Sequence, residues 1–126
     1  MTIPQDRSYT KDHEWAKLEG NAIRVGITDY AQDALGDVVF VQLPEIGQHL
    51  VAGASFAEVE STKSVSDIYA PCAGTVSAVN QALVSQPELV NSSPYDDGWI
   101  VMIEIQGNFE ELDLKSASDY NSMIEV

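Results

Sequence analysis

Between residues 25 and 114 the chain holds a single cation, Lys63, among fourteen carboxylates. A primary amine isolated in this way has three chemical uses: it can be acylated, it can form a Schiff base, or it can balance neighbouring acids such as Glu60 and Asp67. Small polar residues flank it, Ser61 and Thr62 before and Ser64 after. Segments with strand-like composition run away on both sides, over residues 54–60 and 65–69. Gly53 lies ten residues before the lysine and Gly74 eleven after. The layout predicts Lys63 at the tip of a hairpin, its amine directed away from the body, where another protein's active site can reach it. A Schiff-base nucleophile needs a desolvated lysine, and an exposed turn beside Glu60 and Asp67 argues against that environment.

The elements that would hold this hairpin follow from the local pattern. Residues 14–18 and 22–27 read as strands joined at Glu19-Gly20-Asn21. Thr28 is placed to cap a short helix through Leu35, Asp29 suits its positive end, and Gly36 suits the left-handed residue that ends it. Residues 37–43 are β-rich, and Pro44-Glu45-Ile46-Gly47 turns the chain. Residues 74–79 and 99–105 are further strands, whereas 81–94 reads as irregular and turn-rich. Residues 108–114 and 116–124 read as short helices anchored inward by Leu112, Met123 and Ile124. The prediction is a mainly β protein with minor helices at its edges, one domain over residues 1–126.

Composition narrows the function classes. Twenty acids against six bases give a net charge of −14, a surface that repels phosphate backbones and anionic membranes. Nucleic-acid and membrane partners are therefore excluded, and charged partners are expected to present basic patches. The lone Cys72 permits no internal disulfide and reads as a small buried hydrophobe. His13 and His49 with one cysteine cannot build a structural zinc site. Trp15 and Trp99 read as core or half-buried aromatics, and His13 beside Trp15 as a packed side chain. No apolar run is long enough to span a bilayer, and residues 1–7 have neither a signal-peptide core nor an Arg- and Ser-rich transit pattern.

Glu60-Ser61-Thr62-Lys63-Ser64 resembles a lipoyl-attachment motif, in which an acid stands three positions before the modified lysine. Gly47, sixteen before Lys63, and Gly74, eleven after, match the glycines of that pattern. Biotin carriers share the fold but set their lysine between methionines, which Thr62 and Ser64 do not match. Longer segments resemble the glycine cleavage H-protein family: His13-Glu14-Trp15, the runs 25–32 and 35–44, and Asn91-Ser92-Ser93-Pro94-Tyr95-Asp96-Asp97-Gly98-Trp99. The family more often has Val before and Ala after the lysine.

The resemblance implies a barrel-sandwich hybrid of two antiparallel sheets with short peripheral helices. It implies (R)-lipoate bound through an amide to Lys63, with Glu60, Gly47 and Gly74 recognised by the lipoate-attaching enzyme. It implies a carrier subunit, not an enzyme, that takes the aminomethyl group of glycine from a pyridoxal-phosphate glycine decarboxylase to a tetrahydrofolate-dependent aminomethyltransferase. Dihydrolipoamide dehydrogenase then reoxidises the carrier. Glu14 and Asp67 match the acids that hold the loaded amine when the arm folds into a cleft, a role in which each can offer a charge-assisted hydrogen bond. The expected location is the bacterial cytoplasm, or the mitochondrial matrix as a mature form. A biotin carrier, a Schiff-base enzyme and an unmodified protein of the same fold remain the competing readings of the residues alone.

Overall fold

A computed structural model describes residues 1–125. Among these residues nine strands form two antiparallel sheets. They are β1 (Ser8–Tyr9), β2 (Glu14–Glu19), β3 (Ala22–Ile27), β4 (Val38–Gln42), β5 (His49–Leu50), β6 (Ser55–Ser61), β7 (Val65–Tyr69), β8 (Gly74–Val79) and β9 (Val101–Ile105). The larger sheet runs β1-β2-β3-β9-β8-β5 and the smaller β4-β6-β7. Both are open, with edge strands. The two-sheet architecture expected from the sequence is the one observed.

Alternation along the strands explains why the sheets face each other. Ile23, Val25 and Ile27 of β3, Val76 of β8 and Val101 and Ile103 of β9 are buried in one cluster with Val41, Ala57, Val59 and Ile68 of the smaller sheet. Apolar burial of this kind contributes roughly 25 cal/mol per Å² removed from water, and it requires both inner faces at once. Cys72 lies in the same cluster, and burial pushes its thiol up to about 11.

A second cluster, Tyr9, Trp15, Ala117 and Tyr120, seals the large sheet's β1–β2 end. Here Trp15 faces Gly26 across the β2–β3 ladder, and a Cβ on Gly26 would stand 2.7 Å from the indole ring. The missing side chain is what lets the indole lie flat on the neighbouring strand.

The helix α1 (Asp29–Leu35) begins where expected, with the Thr28 hydroxyl accepting from the Ala31 N–H, and stops at Gly36 with φ 89°. Residues 81–94 are more ordered than their sequence suggests, because they form two single-turn helices, α2 (Ala82–Ser85) and α3 (Leu89–Ser92). Leu83 and Val90 bury there, a pair too widely spaced for a periodicity signal. The strand read over 99–105 is shorter, starting at Val101. The 108–114 segment is a 3-10 turn at Phe109–Glu111, and α4 (Ala117–Ile124) is capped by the Ser116 side chain. Leu112, Met123 and Ile124 do pack inward. Strands β1 and β5, two residues each, have no local signature; the sheet edge they pair with creates them.

Candidate functional site

Lys63 sits where the sequence places it, in the middle of the three-residue connection between β6 and β7. The Ser61 N–H donates to the Ser64 carbonyl at 2.8 Å, closing the turn. Ser61 itself is buried, and its hydroxyl oxygen accepts from the Lys63 N–H at 3.1 Å and the Ser64 N–H at 3.0 Å. One side chain thus satisfies two turn amides that strand pairing leaves free. The Thr62 N–H donates to the Asp37 carbonyl at 3.0 Å, which ties the tip to the chain leaving α1.

The amine is exposed but does not stand clear of the body. The lysine stem lies over Gly36, where an added Cβ would come within 2.8 Å of Lys63 Cε. The free projection expected from the hairpin layout is corrected in that respect, because Gly36 provides a groove that the aliphatic stem fills. Asn91 builds this groove. Its amide oxygen accepts from the Val38 N–H at 2.8 Å, and its amide nitrogen donates to the Gly36 carbonyl at 2.9 Å and to Gln32 at 3.0 Å. Ser61, Gly36 and Asn91 are positioning residues that the reading of the lysine motif alone passed over. The asparagine lies 28 positions beyond Lys63 in the chain, so no local spacing could link the two.

A cleft of about 280 Å³ opens beside the tip, between α1 and β7. Its walls are apolar (Ile27, Ala31, Leu35, Ile68), its near end is Ser64, and Asp67, His13 and Asp12 supply polar groups. β7 is an edge strand of the small sheet. The Tyr69 N–H points away from β6 to the Glu14 carboxylate at 2.9 Å. By the two-residue alternation, the backbone groups of Val65 and Asp67 turn to the same side, into the cleft.

Asp67 is exposed, faces Glu58 across the strand pair, and accepts from the Ser55 hydroxyl at 3.2 Å. Glu14 is different. It is 2 % exposed, and its two oxygens accept from Thr10 Oγ1 and the Tyr69 N–H, each at 2.9 Å. Burial pushes its carboxyl up to about 7, against the pull of those two donors and with a small push from Asp12. It borders a neighbouring cavity of about 370 Å³ with Lys11, Gly53 and Lys115, and Asp12 is common to both spaces. Asp67 on β7, and Glu14 reaching the β7 edge from β2, therefore open into adjoining spaces.

His13 forms the cleft's far corner. It has φ 66°, its ring stacks on Tyr30 with centroids 4.6 Å apart, and Nδ1 lies 2.8 Å from the Tyr120 hydroxyl. Burial lowers its pKa, with Asp12 opposing. Tyr120 is also 2.7 Å from Thr28 Oγ1, so the C-terminal helix fixes both His13 and the start of α1.

Glu60 is exposed on the outer face of β6, opposite Val65. Gly47 and Gly74 are not near the tip. Gly47 has φ 92° and donates to the Val76 carbonyl at 2.8 Å, whereas Gly74 pairs with Leu50 and Ile105 in the large sheet. A Cβ on Gly74 would collide with the Glu104 carbonyl and the Ile103 side chain. Both glycines shape the β8 region of the fold.

Residues 7–126 match the family model described as Glycine cleavage H-protein. The chain belongs to the glycine cleavage H-protein family. A glycine cleavage system H protein of Anoxybacillus flavithermus (strain DSM 21510 / WK1) is 50 % identical over 124 residues, 98 % of each chain. One from Mycobacterium avium (strain 104) is 62 % identical over 104 residues, 82 % of this chain and 79 % of that one. The crystal structure of a glycine cleavage system H protein from Mycobacterium marinum superposes with a TM-score of 0.86 at 46 % identity, covering 95 % of this chain and 97 % of the other. The H-protein match spans the hairpin, both walls of the cleft and the C-terminal helix. The site just described is thus built entirely from the part of the chain that the family shares.

Proposed function

We propose that this H-protein family member carries (R)-lipoate on Lys63 and serves as the mobile carrier of the glycine cleavage system. It takes the aminomethyl group of glycine from glycine decarboxylase to the aminomethyltransferase, and dihydrolipoamide dehydrogenase returns it to the disulfide state. The observation that carries this reading is the pairing of an exposed lysine at a rigid hairpin tip with an apolar cleft that begins at the next residue, Ser64.

The residues present fit the group. The Ile27, Ala31, Leu35 and Ile68 walls would hold a long, largely apolar arm, and the unpaired edge-strand backbone groups of Val65 and Asp67 could hydrogen-bond its amide. Bound lipoate supplies a strained, exposed disulfide that nucleophiles open reversibly. The chain's own residues do the rest. Ser61 and Asp37 hold the tip, Gly36 seats the lysine stem, and Asp67 offers a carboxylate to an ammonium at the cleft's polar end. Glu14 acts one step back, keeping the β7 edge in place through the Tyr69 N–H. Tethering makes each encounter of the arm with an enzyme pocket a local event at raised effective concentration.

The compared relatives are bacterial, and among the described residues no helix is long and apolar enough to cross a membrane. The bacterial cytoplasm is the compartment we assign. The test is intact mass and peptide mapping after incubation with lipoate, ATP and a lipoate-attaching enzyme. A lipoyl increment confined to Lys63 and lost in Lys63→Arg is the expected result. An unmodified wild type, with another H protein modified in parallel, would overturn the proposal.

A further inference from the structure

The outer face of the small sheet carries a mixed apolar and acidic ladder, of which the cleft takes only the β7 edge at Val65 and Asp67. Across β4, β6 and β7 the register aligns Phe40, Glu60 and Val65 in one row and Gln42, Glu58 and Asp67 in the next. Partners in register share a face, and Phe40 and Val65 are 53 % and 58 % exposed. Two large apolar side chains on either side of Glu60, next to Lys63, are costly to leave in water. Glu58 directly opposite Asp67 is a like-charge pair that strand pairing by itself disfavours. Folding explains neither feature.

We propose that this ladder is the docking face for the enzyme that acylates Lys63, and that the enzyme presents an apolar depression rimmed by basic residues. The inference rests on the lipoyl-carrier reading above. The unmodified amine ends close to the hairpin backbone, so an acylating active site must close over the strands that carry it, and Phe40 and Val65 come under that cover. Enzymes acting at the far end of a finished arm stand well outside the ladder and do not need it. The face holds Glu58, Glu60 and Asp67, and Lys63 is the one cation in residues 26–113, so a basic rim gains complementarity and faster encounter. In the step served, deprotonated Lys63 Nζ attacks the carbonyl of a lipoyl adenylate. The amide C–N bond forms, the C–O bond to phosphate breaks, AMP leaves with the electron pair, and the amine's proton passes to solvent.

The experiment is a steady-state lipoylation assay with a purified lipoate–protein ligase, lipoate and ATP, comparing wild type, Phe40→Ser, Val65→Ser and Leu18→Gln. Leu18 is an exposed apolar residue of the other sheet and serves as control. Thermal melts confirm that each variant is folded. We expect kcat/KM for the carrier to fall about tenfold in Phe40→Ser and Val65→Ser, the scale of a truncated interface anchor, and to hold in Leu18→Gln. Glu58→Gln with Glu60→Gln should flatten the decline of the rate with added salt. Phe40→Ser, which lies outside the cleft, should be reoxidised by dihydrolipoamide dehydrogenase at the wild-type rate once driven to full lipoylation with excess ligase. Equal lipoylation of wild type and both serine variants leaves the carrier reading standing and overturns the docking face. Loss of reoxidation together with lipoylation also overturns it, because the ladder would then serve every partner. A wild type that takes no lipoate removes the carrier reading, and the docking face with it.

Discussion

Glu14 shows how much a single side chain's role depends on what surrounds it. A carboxylate held near pH 7 by burial is protonated in the folded chain over a range where the unfolded chain has already ionised it. Folding is therefore helped below the unfolded value of 4.5, and that help is lost as pH rises through about 7. The full difference is roughly 3 kcal/mol. His13 works in the opposite sense, since its lowered pKa makes the folded state lose stability as pH falls below 6.5. Glu14→Gln, which keeps an acceptor for the Tyr69 N–H, is predicted to flatten the decline in melting temperature between pH 5 and pH 8. An unchanged slope would assign that decline to other groups. Gly36 gives a second prediction at this scale. Its φ of 89° strains any residue with a side chain, and a methyl group there would stand 2.8 Å from Lys63 Cε, so the stem would have to move. Gly36→Ala should cost about 1–3 kcal/mol in urea unfolding and shift the Lys63 side-chain resonances, because the stem loses its seat.

Among the elements, α4 does more than cover the second aromatic cluster. Tyr120 stacks on Tyr9 at 4.8 Å and places its hydroxyl between His13 and Thr28, so the helix braces the cleft from behind. Tyr120→Phe keeps the packing and removes only the hydroxyl. The expected loss is about 1–3 kcal/mol, from leaving buried partners unsatisfied, with faster amide hydrogen exchange at His13 and through the first turn of α1. Exchange unchanged at those sites would confine Tyr120 to packing. The hairpin β6–β7 was legible in the sequence because the small polar residues around Lys63 interrupt two segments of strand-like composition. Helices α2 and α3 were not, since a single turn carries only one buried residue each, below what periodicity can reveal.

For the whole molecule, charge is the dominant feature. Among the described residues three ion pairs join Arg7, Lys17 and Arg24 to Asp6 and Glu19, whereas twenty acids face six bases in the sequence. The remaining carboxylates repel one another, and screening relieves them. Melting temperature should therefore rise as NaCl is increased from 10 mM to 500 mM. A fall would mean that the few surface ion pairs outweigh the net repulsion.

Legible along the chain were the lone hairpin lysine, the family, the mainly β architecture and the cap and stop of α1. Those depend on residue type, short-range spacing and long matching segments, all of which are written along the chain. Only the tertiary structure decided that the lysine stem rests on Gly36, that Asn91 holds that seat, and that Glu14 is buried while Asp67 is exposed. It alone set Gly47 and Gly74 away from the tip. Each of these depends on which segments meet after the two sheets close over a shared core, and desolvation and backbone contact act through space, not through sequence distance.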